Sequence, residues 1–221
     1  MELYYVLAIT DRDKSERMFS LYRDAGLRMC MMSLARGTAT DEHLSLYDLE
    51  ATEKAAIGGI GGAEEAKALL KNARRKLFID IPGNGILLTV PLKSVAGGKT
   101  LAYLGNNAEK GGRPPMNFEH ELIIVILNEG YVDVVMDAAR PAGAGGGTVL
   151  HAKGTGGIGT EKFFGVSLAE EKDMVYIVAH KDEKAAIMRA ITEKAGPGTP
   201  SGAICFSLPI SAVAGLRSRE E

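Results

Sequence analysis

The strongest constraint on this 221-residue chain is that its two halves carry the same pattern twice. Gly85-Ile86-Leu87-Leu88-Thr89-Val90-Pro91-Leu92-Lys93-Ser94-Val95-Ala96-Gly97 lines up with Ala203-Ile204-Cys205-Phe206-Ser207-Leu208-Pro209-Ile210-Ser211-Ala212-Val213-Ala214-Gly215, a shift of 118 positions from Pro91 to Pro209. Glu53-Lys54 pairs with Glu171-Lys172 at the same shift, and Ala35-Arg36-Gly37-Thr38 pairs with Ala152-Lys153-Gly154-Thr155 at a shift of 117. A nearly constant shift over a half-chain marks an internal repeat, so the fold assigned to one half must also suit the other.

The first half supplies the elements. Leu3 to Ile9 is a short, β-prone apolar run and reads as a strand. Met18, Leu21, Tyr22 and Ala25 follow i, i+3, i+4, i+7, one face of a helix over 14–25 that Gly26 ends. A strand follows at 27–34, and a third within 54–60 that its glycines weaken. Ala66, Leu69, Leu70, Ala73 and Leu77 form the apolar stripe of a helix over 64–77, and 85–91 is a fourth strand. In the second half the same order gives strands at 121–127, 148–153, 173–179 and 203–208, with helices over 130–140 and 182–194. Two β-α-β-β-α-β runs predict an α+β chain of two tandem ferredoxin-like βαββαβ domains, antiparallel sheets with helices on one face. The predicted boundaries are 1–98 for the first domain and 119–221 for the second. A Gly/Pro-rich linker at 99–118 joins them, with a short edge strand at Thr100 to Leu104. The open face of each sheet is expected to lie against another copy, within the chain or between chains.

Bulk properties narrow the function classes. Hydrophobic residues make up 46% and charged residues 24%, enough for a real core. A net charge of −2 and a pI near 6.1 provide no basic surface for nucleic acid or an anionic membrane. The apolar start is interrupted at once by Thr10-Asp11-Arg12-Asp13, and no run approaches the ~20 residues of a membrane span, so a cytoplasmic location is expected. Cys30 and Cys205 lie in apolar runs without CxxC spacing and read as buried small hydrophobes. His43, His120, His151 and His180 have no metal-ligand spacing, so no metal site is expected; His151 precedes the second loop and reads as a satisfied sheet histidine. No acid and base are paired for catalysis. Glu170-Glu171-Lys172-Asp173 reads as a solvated turn, and Arg74-Arg75-Lys76 as a complement to a helix dipole.

Lys153-Gly154-Thr155-Gly156-Gly157-Ile158-Gly159 contains the spacing of a dinucleotide fingerprint, Gly154-x-Gly156-x-x-Gly159. That mechanism needs a helix N-terminus directly after the glycines. Residues 161–168 lack helical periodicity and lead to another strand, so the stretch is a strand-to-strand loop. Its glycines let backbone N–H groups converge on an anion beside Lys153. A simply mobile loop is the alternative.

A βαββαβ unit with a K-G-x-G loop between strands two and three, and a Gly-rich turn before an apolar last strand, resembles the PII signal-transduction proteins, and the resemblance covers both halves. It implies a trimer of ferredoxin-like units that binds ATP or ADP in clefts between neighbours. It also implies that the loop after strand two (the T-loop) docks onto transporters, enzymes or regulators. Lys153, Gly154, Thr155 and Gly156 match the T-loop base in the second copy; Arg36, Gly37 and Thr38 match it in the first, where Ala39 replaces a glycine. Pro200-Ser201-Gly202-Ala203 and Pro82-Gly83-Asn84-Gly85 occupy the phosphate turn, whose family pattern is Gly-Asp-Gly-Lys; Ala203 stands in the place of that lysine. Lys99 and Arg217 fall near the family's C-terminal basic contacts. Both T-loops look short. His43-Leu44-Ser45-Leu46-Tyr47 is similar to the family segment that carries a modified tyrosine, although the repeat sets Tyr47 opposite Gly165. The expectation is a non-enzymatic regulator with a small anionic ligand, ATP or ADP by resemblance, at Arg36, Gly37, Thr38, Lys153, Gly154, Thr155, Gly156, Ser201, Gly202, Arg217 and Lys99. Three tandem chains would assemble and act on a partner protein, with nitrogen regulation as the family's usual role. The alternative is a degenerate, ligand-free scaffold.

Overall fold

A strand covered on both faces must be apolar at successive positions, and the start of this chain meets that condition. In the computed structural model, which describes residues 2–38, 53–92, 118–153, 162–163, 166–167 and 171–216, β1 (Leu3–Asp11) is the centre of the first of two units. That unit takes residues 1–34, 52–119 and 209–221. After a 3-10 turn at Arg12–Lys14 come α1 (Ser15–Asp24), β2 (Arg28–Gly37), β3 (Glu53–Gly62), α2 (Ala63–Leu77) and β4 (Ile86–Pro91). The sheet order is β2-β3-β1-β4, the ferredoxin-like order, with β1 antiparallel to both neighbours.

The helices cover one sheet face with Met18, Leu21 and Tyr22 from α1 and Ala66, Leu69 and Ala73 from α2, against Val6, Ala8, Ile57 and Leu87. Tyr22 is fully buried, its hydroxyl 3.0 Å from the Ile57 carbonyl and 3.3 Å from that of Val6. Burial, with smaller contributions from Tyr5 and Cys30, pushes this phenol well above its usual range. The opposite face is buried too, at Leu3, Leu7, Ile9, Ala56, Leu88 and Val90.

The glycines that weaken β3 in the sequence have a packing role, and the strand pairs with β1 from Leu3↔Gly62 to Asp11↔Lys54. A Cβ on Gly59 would lie 3.0 Å from Tyr22 Cδ1, 3.1 Å from Cys30 Sγ and 3.3 Å from Leu27 Cδ2. On the other face a Cβ on Gly58 would strike the Tyr5 hydroxyl. The bare backbone makes room for an aromatic ring on each side.

The second unit takes residues 35–51 and 120–208. It contains β5 (His120–Asn128), α3 (Val132–Ala139), a 3-10 turn at Arg140–Ala142, β6 (Thr148–Lys153), the short pair β7 (Lys162–Phe163) and β8 (Val166–Ser167), β9 (Glu171–His180), α4 (Lys181–Ala195) and β10 (Ile204–Ile210). The order β10-β5-β9-β6 repeats that of the first unit. Val135, Met136, Ile187 and Ile191 from the helices pack on Ile123, Val125, Val149, Val175 and Ile177. The His180 side chain caps α4 by accepting from the Asp182 amide.

Several expectations are corrected. The strand expected to stop at Leu34 runs on to Gly37, because Arg36 and Gly37 pair with Val149 and Thr148 of β6. Glu171 to Asp173 belong to β9 and are not a solvated turn; Asp173 is 2% exposed. The connection between Lys153 and Glu171 contains the short strands β7 and β8, which were not expected. Helix α3 begins at Val132, not Gly130, and both cysteines are half-buried. A further strand, β11 (Ala212–Ala214), pairs antiparallel with β4 in the first unit. Thr100 to Leu104, most of the linker, and Ala39, His43 and Tyr47 lie outside the described residues.

Each unit fastens the turn before its last strand to the end of its first strand. In the first, Asp11 binds Lys54 Nζ through Oδ1 and Lys14 Nζ through Oδ2 at 2.9 Å. Lys14 also donates to Asn84 Oδ1 at 3.2 Å and to the Gly83 carbonyl at 3.4 Å. In the second, Lys172 Nζ donates to Asn128 Oδ1 at 2.6 Å, and Asn128 Nδ2 donates to the Pro200 carbonyl at 2.9 Å.

Gly59→Val should lower stability by about 1–3 kcal/mol through overpacking, read as a lower urea midpoint. A second prediction concerns Asp11. Burial alone would raise its pKa, but the hydrogen bonds and charges of Lys54 and Lys14 outweigh burial and hold the carboxyl below its usual range. A folded pKa below the unfolded value of about 3.9 stabilises the fold above that value, and the contribution disappears as pH falls through the folded pKa. Asp11→Asn should therefore flatten the acid limb of stability, measured by urea unfolding between about pH 6 and about pH 2.

Candidate ligand site at the loop end of the second unit

Strand register in the second unit gathers residues that are far apart in sequence. Lys153 closes β6 opposite Glu171, the first residue of β9. Its neighbour Lys172 lies opposite Ala152 on one side and Asn128 on the other. The Asn128 amide donates to the Ser201 carbonyl at 2.9 Å while its side chain holds Pro200. The end of β6, the start of β9, the end of β5 and the turn before β10 thus meet at one end of one sheet. Of the expected site residues, Lys153, Ser201 and Gly202 lie at this end of the sheet, Lys153 on β6 and the other two beside the end of β5.

The turn itself is largely self-satisfied. Ser201 is 2% exposed and its hydroxyl donates to the Ala195 carbonyl at 2.9 Å, closing the end of α4. The Gly202 amide donates to Thr199 and the Ala203 amide to Ala195. Gly202 adopts φ +55°, and a Cβ there would stand 3.5 Å from Asn128 Nδ2. The hydroxyl and these amides are therefore already committed within the turn and the end of α4.

Arg36, Gly37 and Thr38 are placed elsewhere. They flank the opposite end of β6, where Gly37 pairs with Thr148, roughly 17 Å along the strand from Lys153. Thr38 works as a clamp: its amide donates to the Gly147 carbonyl at 3.1 Å, and its Oγ1 accepts from the Gly147 amide at 2.8 Å. Its carbonyl accepts from Arg140 Nη2 at 2.6 Å. Gly154, Thr155, Gly156, Lys99 and Arg217 lie outside the described residues.

Two groups near this end were not singled out in the sequence. Lys172 could have been found from the recurrence of Glu53-Lys54 at Glu171-Lys172. Asp173 could not, because only the fold buries it. Its Oδ2 accepts from the Gly130 amide at 3.1 Å, and Oδ1 lies 2.7 Å from Nδ1 of His151, whose ring is 62% exposed. Oδ1 has no partner that meets the stricter geometry of a hydrogen bond, so the His151 contact is a close approach of charge-capable groups. Burial raises the Cys30 pKa, which disfavours the thiolate a nucleophile requires. Among the described residues, no three His, Cys, Asp or Glu side chains are grouped so as to hold a metal ion.

Residues 120–220 match the family model described as nitrogen regulatory protein P-II. Among solved structures the chain is similar to the PII of Arabidopsis thaliana in its citrate-bound crystal structure, with 24% identity over 42% of this chain and 78% of that one and a TM-score of 0.34. Comparison with curated proteins found no match. Among the described residues no helix is long and apolar enough to cross a membrane. The matched family is one of regulators, and the matched stretch contains every element from β5 to β11. The second repeat, residues 120–220, is thus similar to the P-II family.

Proposed function

We propose that this protein is a regulator that binds a small anionic ligand at the loop end of its second unit and signals occupancy to a partner protein through the loop after Lys153. The observation that carries the reading is the convergence of Lys153, Lys172 and the turn at 200–202 inside the stretch that matches the PII family. Two lysines give charge without a fixed fork, which suits a phosphate or carboxylate approached from several angles. Resemblance points to an adenine nucleotide, ATP or ADP. Ordering a glycine loop around the ligand would turn binding energy into a surface that a transporter or enzyme can read.

The strand order shared by both units supports reading the first as a second PII-like copy, in a chain whose domains fall at 1–98 and 119–221 around a linker. Assembly of three chains in the cytoplasm and a role in nitrogen regulation follow from the resemblance. A second reading, a ligand-free scaffold, is favoured by one observation. Ala203 is 3% exposed where the family turn carries a lysine, and the neighbouring amides bond within the turn.

Isothermal titration with ATP, ADP, AMP, cyclic nucleotides and bicarbonate separates the two. The regulator reading expects saturable binding of at least one of these, weakened about tenfold by Lys153→Ala, as loss of a charged hydrogen-bond donor implies. Silence with every ligand at millimolar concentration would leave the scaffold.

A further inference from the structure

Strand register in the second unit sets two histidines face to face. His120 opens β5 directly opposite His180, the last residue of β9. Their ring centres lie 5.7 Å apart, with the ring planes at 89°. Both residues are half-buried, and Nδ1 of His180 lies 3.2 Å from Oδ2 of Asp182 in the first turn of α4. Sequence spacing hides this pair, because the two residues meet only through the β5–β9 alignment.

The first repeat fills the equivalent register position with Leu3 opposite Gly62. Leu3 is 4% exposed, and Gly62 precedes α2 without a side-chain cap. The same strand pair and the same helix start thus form without either imidazole. The histidine pair is an addition of the second copy and not a requirement of the fold.

We infer that His120 and His180 bind a divalent transition-metal ion, Zn2+ or Ni2+. Imidazole suits these ions, whereas Mg2+ and Ca2+ take oxygen ligands. Cross-strand partners point to the same face of a sheet, which aims both rings at one volume. Metal–nitrogen bonds of about 2.0–2.1 Å set two ligating rings roughly 5 Å apart in a tetrahedral shell, so a small rotation of either ring brings both onto one ion. Asp182 fits the carboxylate that steadies a ligating histidine. With Nδ1–H donated to Oδ2, in place of the 3.4 Å contact with the Asp182 amide, Nε2 is the nitrogen presented to the metal. The two imidazoles are the protein ligands, and water completes the shell. The ion ties the start of β5 to the junction of β9 and α4. Asn128 and Lys172 stand at the other end of the same strand pair, so the site is independent of the ligand proposed there.

The test is isothermal titration of the whole protein with ZnCl2 and with NiCl2, against MgCl2 at equal ionic strength. Saturable binding is expected for zinc and nickel and none for magnesium. His120→Gln and His180→Gln should each raise Kd at least about tenfold, since each leaves a single imidazole. His120→Gln is the cleaner variant, because it leaves the α4 cap in place. Paramagnetic Ni2+ below one equivalent should broaden the ring-proton NMR signals of His120 and His180 together. Those of His151, whose ring is 62% exposed, should stay sharp. Absence of saturable binding, affinity that survives His120→Gln, broadening that begins at His151, or an equal response to Mg2+ would each overturn the assignment.

Discussion

The central antiparallel pair in each unit, β1 with β3 and β5 with β9, fixes nearly everything else. Its register runs from Leu3↔Gly62 to Asp11↔Lys54 in the first unit and from His120↔His180 to Asn128↔Lys172 in the second. A slip of one residue would turn Val6, Ala8 and Ile57, or Val125, Val175 and Ile177, from the helix-covered face to the other. Correct register also sets a lysine of the third strand across from a short polar residue at the end of the first. That polar residue then reaches the turn before the last strand. Packing at the middle of the sheet and placement of the turn at its end are consequences of one alignment.

The two copies solve the same placement with different chemistry. Asp11 takes two lysines and forms a charged knot whose strength depends on pH. Asn128 accepts from Lys172 through its side-chain carbonyl and donates its amide hydrogens to Pro200. The first copy holds the turn through a carboxylate and the second through an amide.

Periodicity is a local property, and whatever depends on it was legible. The 3.6-residue stripes of α1 and α2 and the apolar runs of β1, β4 and β5 announce both βαββαβ orders, and the repeat confirms each half by the other. The features that escaped depend on partners remote in sequence. β2 continues through Arg36 and Gly37 because β6 provides the facing strand. Asp173 looks like part of a charged turn because the sequence does not show that Gly130 and His151 will surround it. The glycines of β3 weaken a strand by propensity, yet here they admit Tyr5 and Tyr22. Among the expected site residues, the separation of Thr38 from Lys153 along β6 was not readable.

Ser201 shows why a family pattern transfers only through geometry. By the resemblance it falls at the family's phosphate turn, where a hydroxyl is suited to a ligand oxygen. In the fold that hydroxyl is buried and donates to the last carbonyl turn of α4, while the Gly202 and Ala203 amides close the turn on itself. A ligand that recruited these groups would have to break bonds that cap a helix, at about 1 kcal/mol or more for each group left buried and unpaired. The turn is therefore a rigid floor positioned by Asn128, with its hydroxyl and amides already committed to holding the end of α4.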